Sequence, residues 1–147
     1  MTDETPFAEK LDLAENIEIR PVPEGRKNLR AGLMMLVPTS RAVEVAIRAI
    51  PQGHVMSVME LRDELAQLHG ADVTCPVTTG VCLRTVAEAA YESLNAGTPI
   101  EEIAPVWRVL YAKAPMLKKL SFDPAFIIEQ RAHEARSPAR NGATHDV

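Results

Sequence analysis

The sequence predicts a mainly α-helical domain of the winged helix-turn-helix type with a minor β element. The long segment 78–96 carries apolar residues at three-and-four spacing, which is the pattern of an amphipathic helix. Two shorter segments with the same periodicity, 40–50 and 57–69, come directly before it. The stretch 103–111 is rich in β-branched and aromatic residues, which are typical of either a small β-wing or an ordered loop.

The length of the chain places these elements in one domain. A chain of 147 residues can bury one substantial core but not two. Residues 1–30 are charged, are broken by prolines and lack sustained periodicity, so we expect a flexible tail or linker there. A second flexible tail is expected over 137–147, and the domain itself over 31–136.

The sequence carries no sign of a membrane segment or a metal site. No apolar run approaches the ~20 residues that a membrane helix needs, and the acidic N-terminus lacks the layout of a secretory signal. We therefore expect a cytoplasmic protein in which Cys75 and Cys82 are free thiols. Their spacing, without further cysteines or histidines at ligand spacing, argues against zinc. No cofactor is expected.

The net charge of −4 is distributed unevenly. Residues 1–19 contain six acidic residues and one basic residue, so the rest of the chain sums to +1. A dedicated nucleic-acid binder is usually more basic, but a nearly neutral domain neither requires nor excludes DNA. A basic patch in the tail could contact a polyanion, although a solvated linker is the commoner case. Its residues are Arg20, Arg26, Lys27 and Arg30.

The first two helices each have one apolar face. In 40–50 we expect Glu44 to point outward, opposite the apolar residues Val43, Ala46, Ile47 and Ile50. The helix over 57–69 should begin with a capping box, because Ser57 is followed three residues later by Glu60. Its expected buried residues are Val58, Leu61, Leu65 and Leu68.

The last two helices have clear start signals. Thr78 or Thr79 can cap the helix over 78–96, because a hydroxyl there accepts a hydrogen bond from an unpaired backbone N–H. Asp123 followed by Pro124 starts a helix that runs to about 135. The core should include residues from three of the four helices. These are Leu61, Leu65, Val86, Ala90 and Ile128.

The order of motifs between about 38 and 135 resembles the DNA-binding, active-site domain of O6-alkylguanine-DNA alkyltransferases and their alkyltransferase-like relatives. The family's Ile-Pro-x-Gly-x-Val turn matches 50–55, and its Arg-Ala-Val-Gly-x-Ala recognition motif is echoed at 84–89. Its Gly-Asn-Pro matches 97–99, and its active-site Pro-Cys-His-Arg-Val matches 105–109. This resemblance implies a DNA-binding domain of the helix-turn-helix type.

The chain departs from the family where the family's chemistry takes place. The acceptor cysteine position is Val106, and the position of the histidine that activates it is Trp107. Valine has no lone pair, so alkyl transfer by the family mechanism is excluded. Of the family's cysteine-histidine-glutamate relay only Glu134 could remain, and an isolated glutamate is usually a surface residue. We therefore expect no catalytic residue, and the closest resemblance is to a little-described bacterial subgroup.

The resemblance also supplies the candidate DNA contacts. The arginine that matches Arg84 fills the space left by a flipped base, whereas the simpler interpretation of Arg84 is an ion pair with Glu88 at i+4. The family's Thr-Tyr pair in the second helix is Ser57-Val58 here, so the tyrosine that helps to rotate a nucleotide is missing. The candidate DNA-binding residues are Arg84, Thr78, Thr79, Ser57 and Glu88.

A pocket is expected at the former active-site turn. Trp107 could form its floor by stacking, although a core tryptophan is the commoner role. Cys75 at a helix start could be a displaced acceptor, although a buried structural cysteine is several times more common. The candidate pocket residues are Val106, Trp107, Arg108, Val58 and Cys75.

Three functions are consistent with the sequence. The first is non-catalytic recognition of DNA, in particular of alkylated or otherwise damaged duplex. The second is a protein-interaction or small-ligand module that reuses the fold and has lost DNA binding. The third, and the least favoured, is a DNA methyltransferase that uses Cys75 as the alkyl acceptor.

Overall fold

The protein is mainly helical and carries a small three-stranded sheet. The computed structural model describes residues 7–11, 16–24 and 31–136. Its α-helices are α1 (Phe7–Lys10), α2 (Ser40–Arg48), α3 (Val58–His69), α4 (Pro76–Asn95) and α5 (Ala125–Arg136). Its strands are β1 (Glu18–Pro21), β2 (Met34–Val37) and β3 (Val73–Thr74). Short 3-10 turns lie at Ile100–Glu102, Val106–Arg108 and Pro115–Lys119. No helix in the described ranges is long and apolar enough to span a membrane.

The four predicted helices are confirmed, and they share one hydrophobic core. Leu61 and Leu65 of α3 are fully buried, as are Val86 and Ala90 of α4. The apolar face predicted for α2 is buried against α4 and α3. The capping box is also present, because Ser57 Oγ accepts from the Glu60 N–H at 3.0 Å and Glu60 Oε1 accepts from the Ser57 N–H at 2.8 Å.

Helix α4 begins two residues earlier than predicted and without a threonine cap. Pro76 occupies the first turn, where its fixed φ suits a helix and its missing N–H costs nothing. Cys75 stands at the N-cap position. Thr79 is fully buried, and its hydroxyl donates to the Cys75 carbonyl oxygen at 2.7 Å. The prediction that Thr78 or Thr79 caps the helix is therefore wrong.

Three predicted core positions are exposed because the buried face of each helix is narrower than expected. In α3, Val58 and Leu68 are 36% and 58% exposed. In α5, Ile127 is fully buried while Ile128 is 37% exposed. A helical step of about 100° between neighbours allows only one of two adjacent isoleucines to face a narrow contact.

Glu44 of α2, which was expected to point outward, is buried. Its carboxylate accepts hydrogen bonds from Arg41 and from Arg48, three residues before and four residues after it. Both arginine side chains are about half exposed, at 46% and 45%, so they cover the carboxylate while reaching solvent themselves. The charge of Glu44 is thus retained at the edge of the core by two local partners.

The β element lies outside 103–111, and of the two alternatives predicted for that segment, a small β-wing or an ordered loop, the structure has the ordered loop. Strand β1 pairs antiparallel with β2, and β2 pairs parallel with β3 through the Met35–Val73 register. The segment 103–111 instead holds the Val106–Arg108 turn, and its residues are largely buried. Pro105 lacks an N–H for a strand ladder, which favours the turn.

The ordered structure begins before residue 31. Strand β1 lies within the segment predicted to be a flexible tail, and Leu11 and Val22 of the same segment are buried. Single apolar residues separated by charged ones give no periodic pattern in this segment, so the burial of Leu11 and Val22 was not predicted. Of the predicted basic patch, Arg20 lies on β1 with an exposed side chain. Arg26, Lys27 and Arg30, like residues 137–147, lie outside the described residues.

Candidate functional site

The outer face of α4 presents one exposed cation between apolar side chains. The side chain of Arg84 is 46% exposed, and its Nε lies 3.8 Å from Glu88 Oε2. The i+4 pair expected from the sequence is therefore present, yet the guanidinium still faces solvent. Val81 and Val77, one and two turns before it on α4, are 63% and 68% exposed. This face combines a planar cation with apolar surface.

An apolar cleft of about 610 Å³ lies beside the start of α4. One wall comes from the start of α3, another from the start of α4, and the third from residues 109–119. The apolar lining includes Val58, Leu83, Val109, Tyr111 and Met116. Four polar residues also line it, namely Ser57, Glu60, Lys119 and Arg131. A mostly apolar cleft with a few polar groups is the usual form of a small-molecule or base site.

The exposed arginine and the cleft are neighbours. A smaller cavity of about 430 Å³ contains Arg84 and shares four lining residues with the cleft. The shared residues are Pro76, Gly80, Met116 and Lys119. A ligand in the cleft would therefore be next to the cavity that contains Arg84, with Gly80 lining both.

Two of the predicted DNA-binding residues are inaccessible. Thr79 is fully buried. Glu88 is only 2% exposed, and its carboxylate accepts hydrogen bonds from both the backbone N–H and the hydroxyl of Ser121. Thr78 is half-buried and Ser57 is exposed at its cap position. A direct contact of Thr79 or Glu88 with DNA is excluded by this burial, so these two assignments were wrong.

Much of the turn Val106–Arg108, where the resemblance places the family's active site, is part of the core. Val106 is fully buried and Trp107 is 3% exposed. Cys75 is buried in a separate small cluster with Val22 and Met35. The predicted pocket residues are thus divided, because Val58 lines the apolar cleft whereas Trp107 and Arg108 line a separate cavity.

Arg108 and Glu134 form a buried ion pair behind the turn. Arg108 Nε donates to Glu134 Oε1 at 3.0 Å, and its Nη2 donates to Oε2 at 2.8 Å. Its Nη1 donates to the Ile50 carbonyl oxygen at 2.7 Å. The two side chains are only 14% and 10% exposed. Glu134 was expected to be a surface residue, and this bidentate pair shows that expectation to be wrong.

The ion pair lowers the pKa of Glu134. Burial alone would raise the pKa of its carboxyl, but hydrogen bonds and the positive charge from Arg108 outweigh that cost, so the pKa lies below its ordinary value of 4.5. The indole N–H of Trp107 also faces this carboxylate and contributes to the lowering. Among the described residues, that N–H has no partner with hydrogen-bond geometry. Glu134 is therefore ionised in the folded protein at neutral pH.

A polar cavity of about 390 Å³ adjoins this ion pair, since Arg108 and Glu134 are among its lining residues. It contains cationic, anionic and amide side chains in similar numbers, so its charge selects neither anions nor cations. Those residues are Arg48, Gln52, Glu101, Arg108, Gln130, His133 and Glu134. In the described ranges, no group of three histidine, cysteine or acidic side chains lies in position to hold a metal.

The cationic residues of the apolar cleft, Lys119 and Arg131, were not among the predicted site residues. Arg131 Nη1 donates to the Trp107 carbonyl oxygen at 3.2 Å, and its guanidinium carbon lies 6.0 Å from the ring centroid of Tyr111. Lys119 ends the Pro115–Lys119 turn. The signal available in the sequence was the Lys118-Lys119 pair beside the apolar run 114–117. The long-range approach of α5 that brings Arg131 to the cleft leaves no local signal.

Neither cysteine is placed for nucleophilic chemistry. Both are free and buried. Burial raises the pKa of the Cys82 thiol, which makes its thiolate less available at neutral pH.

Comparison of the chain with models of known protein families, with curated proteins and with solved structures finds no match.

Proposed function

We propose that the protein binds duplex DNA without catalysis and recognises alkylated or otherwise damaged bases through α4 and the adjoining apolar cleft. The observation that carries the proposal is the adjacency of Arg84 to a cleft of about 610 Å³ with Lys119 and Arg131 among its lining residues. A damaged base is cheaper to unstack than an intact one, so a protein that holds an extruded base selects damage.

Each part of this surface has a role in such a complex. The planar guanidinium of Arg84 can stack in the gap that an extruded base leaves in the duplex. The extruded base enters the cleft, where Tyr111 offers an aromatic face and Leu83 and Met116 offer apolar contact. Lys119 and Arg131 attract the phosphates on either side of the extruded nucleotide.

The resemblance to the alkyltransferase DNA-binding domain supports the same assignment. In that family the helix matching α4 is the recognition helix, and the arginine matching Arg84 takes the place of the flipped base. Helices α3 and α4, joined by a short connection through β3, have the order that a helix-turn-helix requires. The proposed contacts are thus the members of the expected set that are not buried, namely Arg84, Ser57 and Thr78, together with Lys119 and Arg131.

Duplex binding is expected to weaken as salt rises from about 50 mM to 200 mM, because counterions released from the phosphates supply much of the affinity. Arg84→Ala should reduce the preference for a duplex with one O6-methylguanine over the intact duplex by about 1–3 kcal/mol. Fluorescence anisotropy with the two labelled duplexes measures both effects.

Arg136→Ala is the matched control, because Arg136 is exposed at the end of α5 and does not line either cavity. It should leave the preference for damaged DNA unchanged. If Arg84→Ala and Arg136→Ala preserve the same preference, Arg84 has no role in the gap. If the wild-type protein binds neither duplex at about 50 mM salt, the proposal of DNA binding is wrong.

A protein-interaction or small-ligand module on the same fold is the second candidate. Val77 and Val81 are more than half exposed on the face of α4 that DNA would meet, and valine offers nothing to a phosphate. Exposed apolar groups of this kind suit a partner helix or an apolar ligand. This second candidate is favoured over DNA binding if the affinity for duplex DNA does not change with salt concentration.

Alkyl transfer is the least favoured function, and we expect none. A one-step displacement needs sulfur within ~3–3.5 Å of the alkyl carbon. The candidate acceptor Cys75 is buried beside Met35, apart from the turn that holds Val106. Incubation with O6-methylguanine DNA should leave the intact mass of the protein unchanged. A gain of one methyl group that disappears in Cys75→Ser would show that Cys75 is the acceptor.

A further inference from the structure

Strand β1 is an exposed edge of the sheet. Within the described residues, β2 is the middle strand, since it pairs with β1 on one side and with β3 on the other. All four residues of β1 are exposed. The side chains of Glu18 and Arg20 are 64% and 60% exposed, and Ile19 between them is 40% exposed. An edge strand of this kind presents backbone N–H and C=O groups to which another strand can be added.

Hydrogen bonding next to β1 shows which of its backbone groups face outward. The N–H of Val22, one residue past the strand, donates to the Leu33 carbonyl oxygen at 2.8 Å, in register with the β1–β2 ladder. In an antiparallel ladder, every second residue turns its N–H and C=O towards the paired strand. Val22 and Arg20 therefore turn these groups towards β2. Ile19 turns its own towards the outer edge.

The other side of β2 gives the same assignment. Leu36, which pairs with Ile19, accepts a hydrogen bond from the Cys75 N–H at 2.8 Å, so its carbonyl points towards β3 and away from β1. Ile19 thus exchanges no ladder bonds with β2. Pro21, two residues on, has the same orientation, and its missing N–H costs the ladder nothing there, which is where a strand tolerates proline.

The charges on β1 make this edge complementary to a second copy of itself. Arg20 Nη1 lies 3.6 Å from Glu18 Oε1, so both side chains are on the same face of the sheet. If two β1 strands pair antiparallel with Ile19 opposite Ile19, Glu18 of each copy lies opposite Arg20 of the other. Centring the pair on Glu18 or on Arg20 instead would place like charges directly opposite each other, which is destabilising.

The same register also joins the apolar side chains of β1. The two Ile19 residues exchange both N–H···O=C bonds, and the N–H of each Ile17 can donate to the Pro21 carbonyl oxygen of the other copy. Ile17 is partly buried against the main core, and Met34, which pairs with Pro21, is 39% exposed. Pairing would therefore cover apolar surface on one face of the sheet and join opposite charges on the other.

We propose that the protein forms a two-fold symmetric dimer in which the β1 strands of two copies pair antiparallel across Ile19. The two three-stranded sheets then become one sheet of six strands. This inference does not depend on the proposed function. Two strands of four residues form a smaller contact than the ~1,200 Å² of standard complexes. We therefore expect reversible association with a dissociation constant on the order of 10–100 μM.

Sedimentation velocity of the full chain from about 1 μM to about 1 mM tests the dimer. The wild-type protein should shift from monomer to dimer across this range. Ile19→Pro removes the outward N–H and leaves the N–H groups that face β2 in place. It should raise the dissociation constant about tenfold or more, because both hydrogen bonds between the two Ile19 residues are lost. Circular dichroism melting checks that the variant folds.

Charge exchange tests the register. Glu18→Arg and Arg20→Glu each place like charges opposite each other and should weaken the dimer about fivefold. An equal mixture of these two variants, or the double variant, should restore wild-type affinity, because every pair across the axis again joins opposite charges. Glu64→Arg is the control, since it makes the same change in net charge at an exposed position of α3 and should leave the dimer unchanged.

Amide hydrogen exchange in the wild-type chain gives a readout that needs no variant. The Ile19 amide should exchange several-fold more slowly as protein concentration rises, whereas the Arg20 amide, which faces β2, should not change. This result, with weakening by Ile19→Pro and restoration in the mixture, supports the dimer. A monomer at every concentration overturns it and leaves the edge to a strand of another protein. A dimer that none of the β1 variants weakens also overturns it, because the interface then lies elsewhere. A mixture as weak as its components overturns the pairing across Ile19.

Discussion

Glu134→Ala is expected to lower the free energy of unfolding by about 3–5 kcal/mol, because it leaves the buried guanidinium of Arg108 without its charge partner. The pair is bidentate, at 3.0 and 2.8 Å, and the Arg108 side chain is only 14% exposed. Arg108 also donates to the Ile50 carbonyl oxygen, and its own carbonyl oxygen accepts from the Met56 N–H at 2.8 Å. The loss would therefore loosen α5 from the connection between α2 and α3. Urea unfolding followed by circular dichroism measures it.

The same ion pair predicts a dependence of stability on pH. The pKa of Glu134 is lowered in the folded protein, so its contribution is fully present above its ordinary value of 4.5 and is lost as the pH falls through the lower folded value. Wild-type stability should decline in that acidic range. The Glu134→Ala variant should decline less, because it has no carboxyl to protonate at this position.

A double variant separates the charge from the packing. Arg108→Met combined with Glu134→Leu replaces the pair by apolar groups and should recover most of the lost stability, because no buried charge is left unpaired. A loss below about 1 kcal/mol in Glu134→Ala, the range of an exposed pair, would show that solvent compensates Arg108 and that the pair is not structural.

Local signals in the sequence determined the four helices and the capped start of α3, but not the start of α4. Apolar residues three and four apart predicted α2 to α4, Asp123 with Pro124 predicted α5, and Ser57 with Glu60 predicted the cap of α3. Such features depend on residues within one or two turns, so the chain alone contains them. Burial of a residue at the edge of a helix's apolar face is harder to predict, because it depends on how the neighbouring helix packs there. This is why Ile128 and Leu68 were placed in the core and are exposed.

Features that join distant segments could not be predicted in this way. Strand β1 is defined by its pairing with β2, and its residues Glu18–Pro21 carry no alternation of their own. The ion pair of Arg108 and Glu134 joins residues 26 positions apart. At the candidate site, Arg84 and Val58 were found from the motif order, whereas Arg131 reaches the cleft only through the packing of α5. Long-range contacts therefore account for most of the errors.

Glu88→Ala is expected to lower the free energy of unfolding by about 2–3 kcal/mol, because it removes a buried charged group that accepts two hydrogen bonds from Ser121. The carboxylate is 2% exposed, and one oxygen accepts from the Ser121 N–H at 2.6 Å while the other accepts from its hydroxyl. This contact fixes the connection between the Pro115–Lys119 turn and α5 onto the middle of α4. Thermal and urea unfolding measure the loss.

Comparison with Arg84→Ala turns this into a test of which α4 residue meets the ligand. Glu88→Ala should weaken the fold and leave the preference of the folded protein for damaged DNA intact, whereas Arg84→Ala should do the reverse. Glu64→Ala, at an exposed position of α3, is the control for loss of a helical carboxylate and should change stability by less than about 0.5 kcal/mol. Glu88→Gln should lose less than Glu88→Ala, since its amide oxygen still accepts one of the two hydrogen bonds. If Glu88→Ala were as stable as Glu64→Ala, Ser121 would have another acceptor, and the structural role assigned to Glu88 would be wrong.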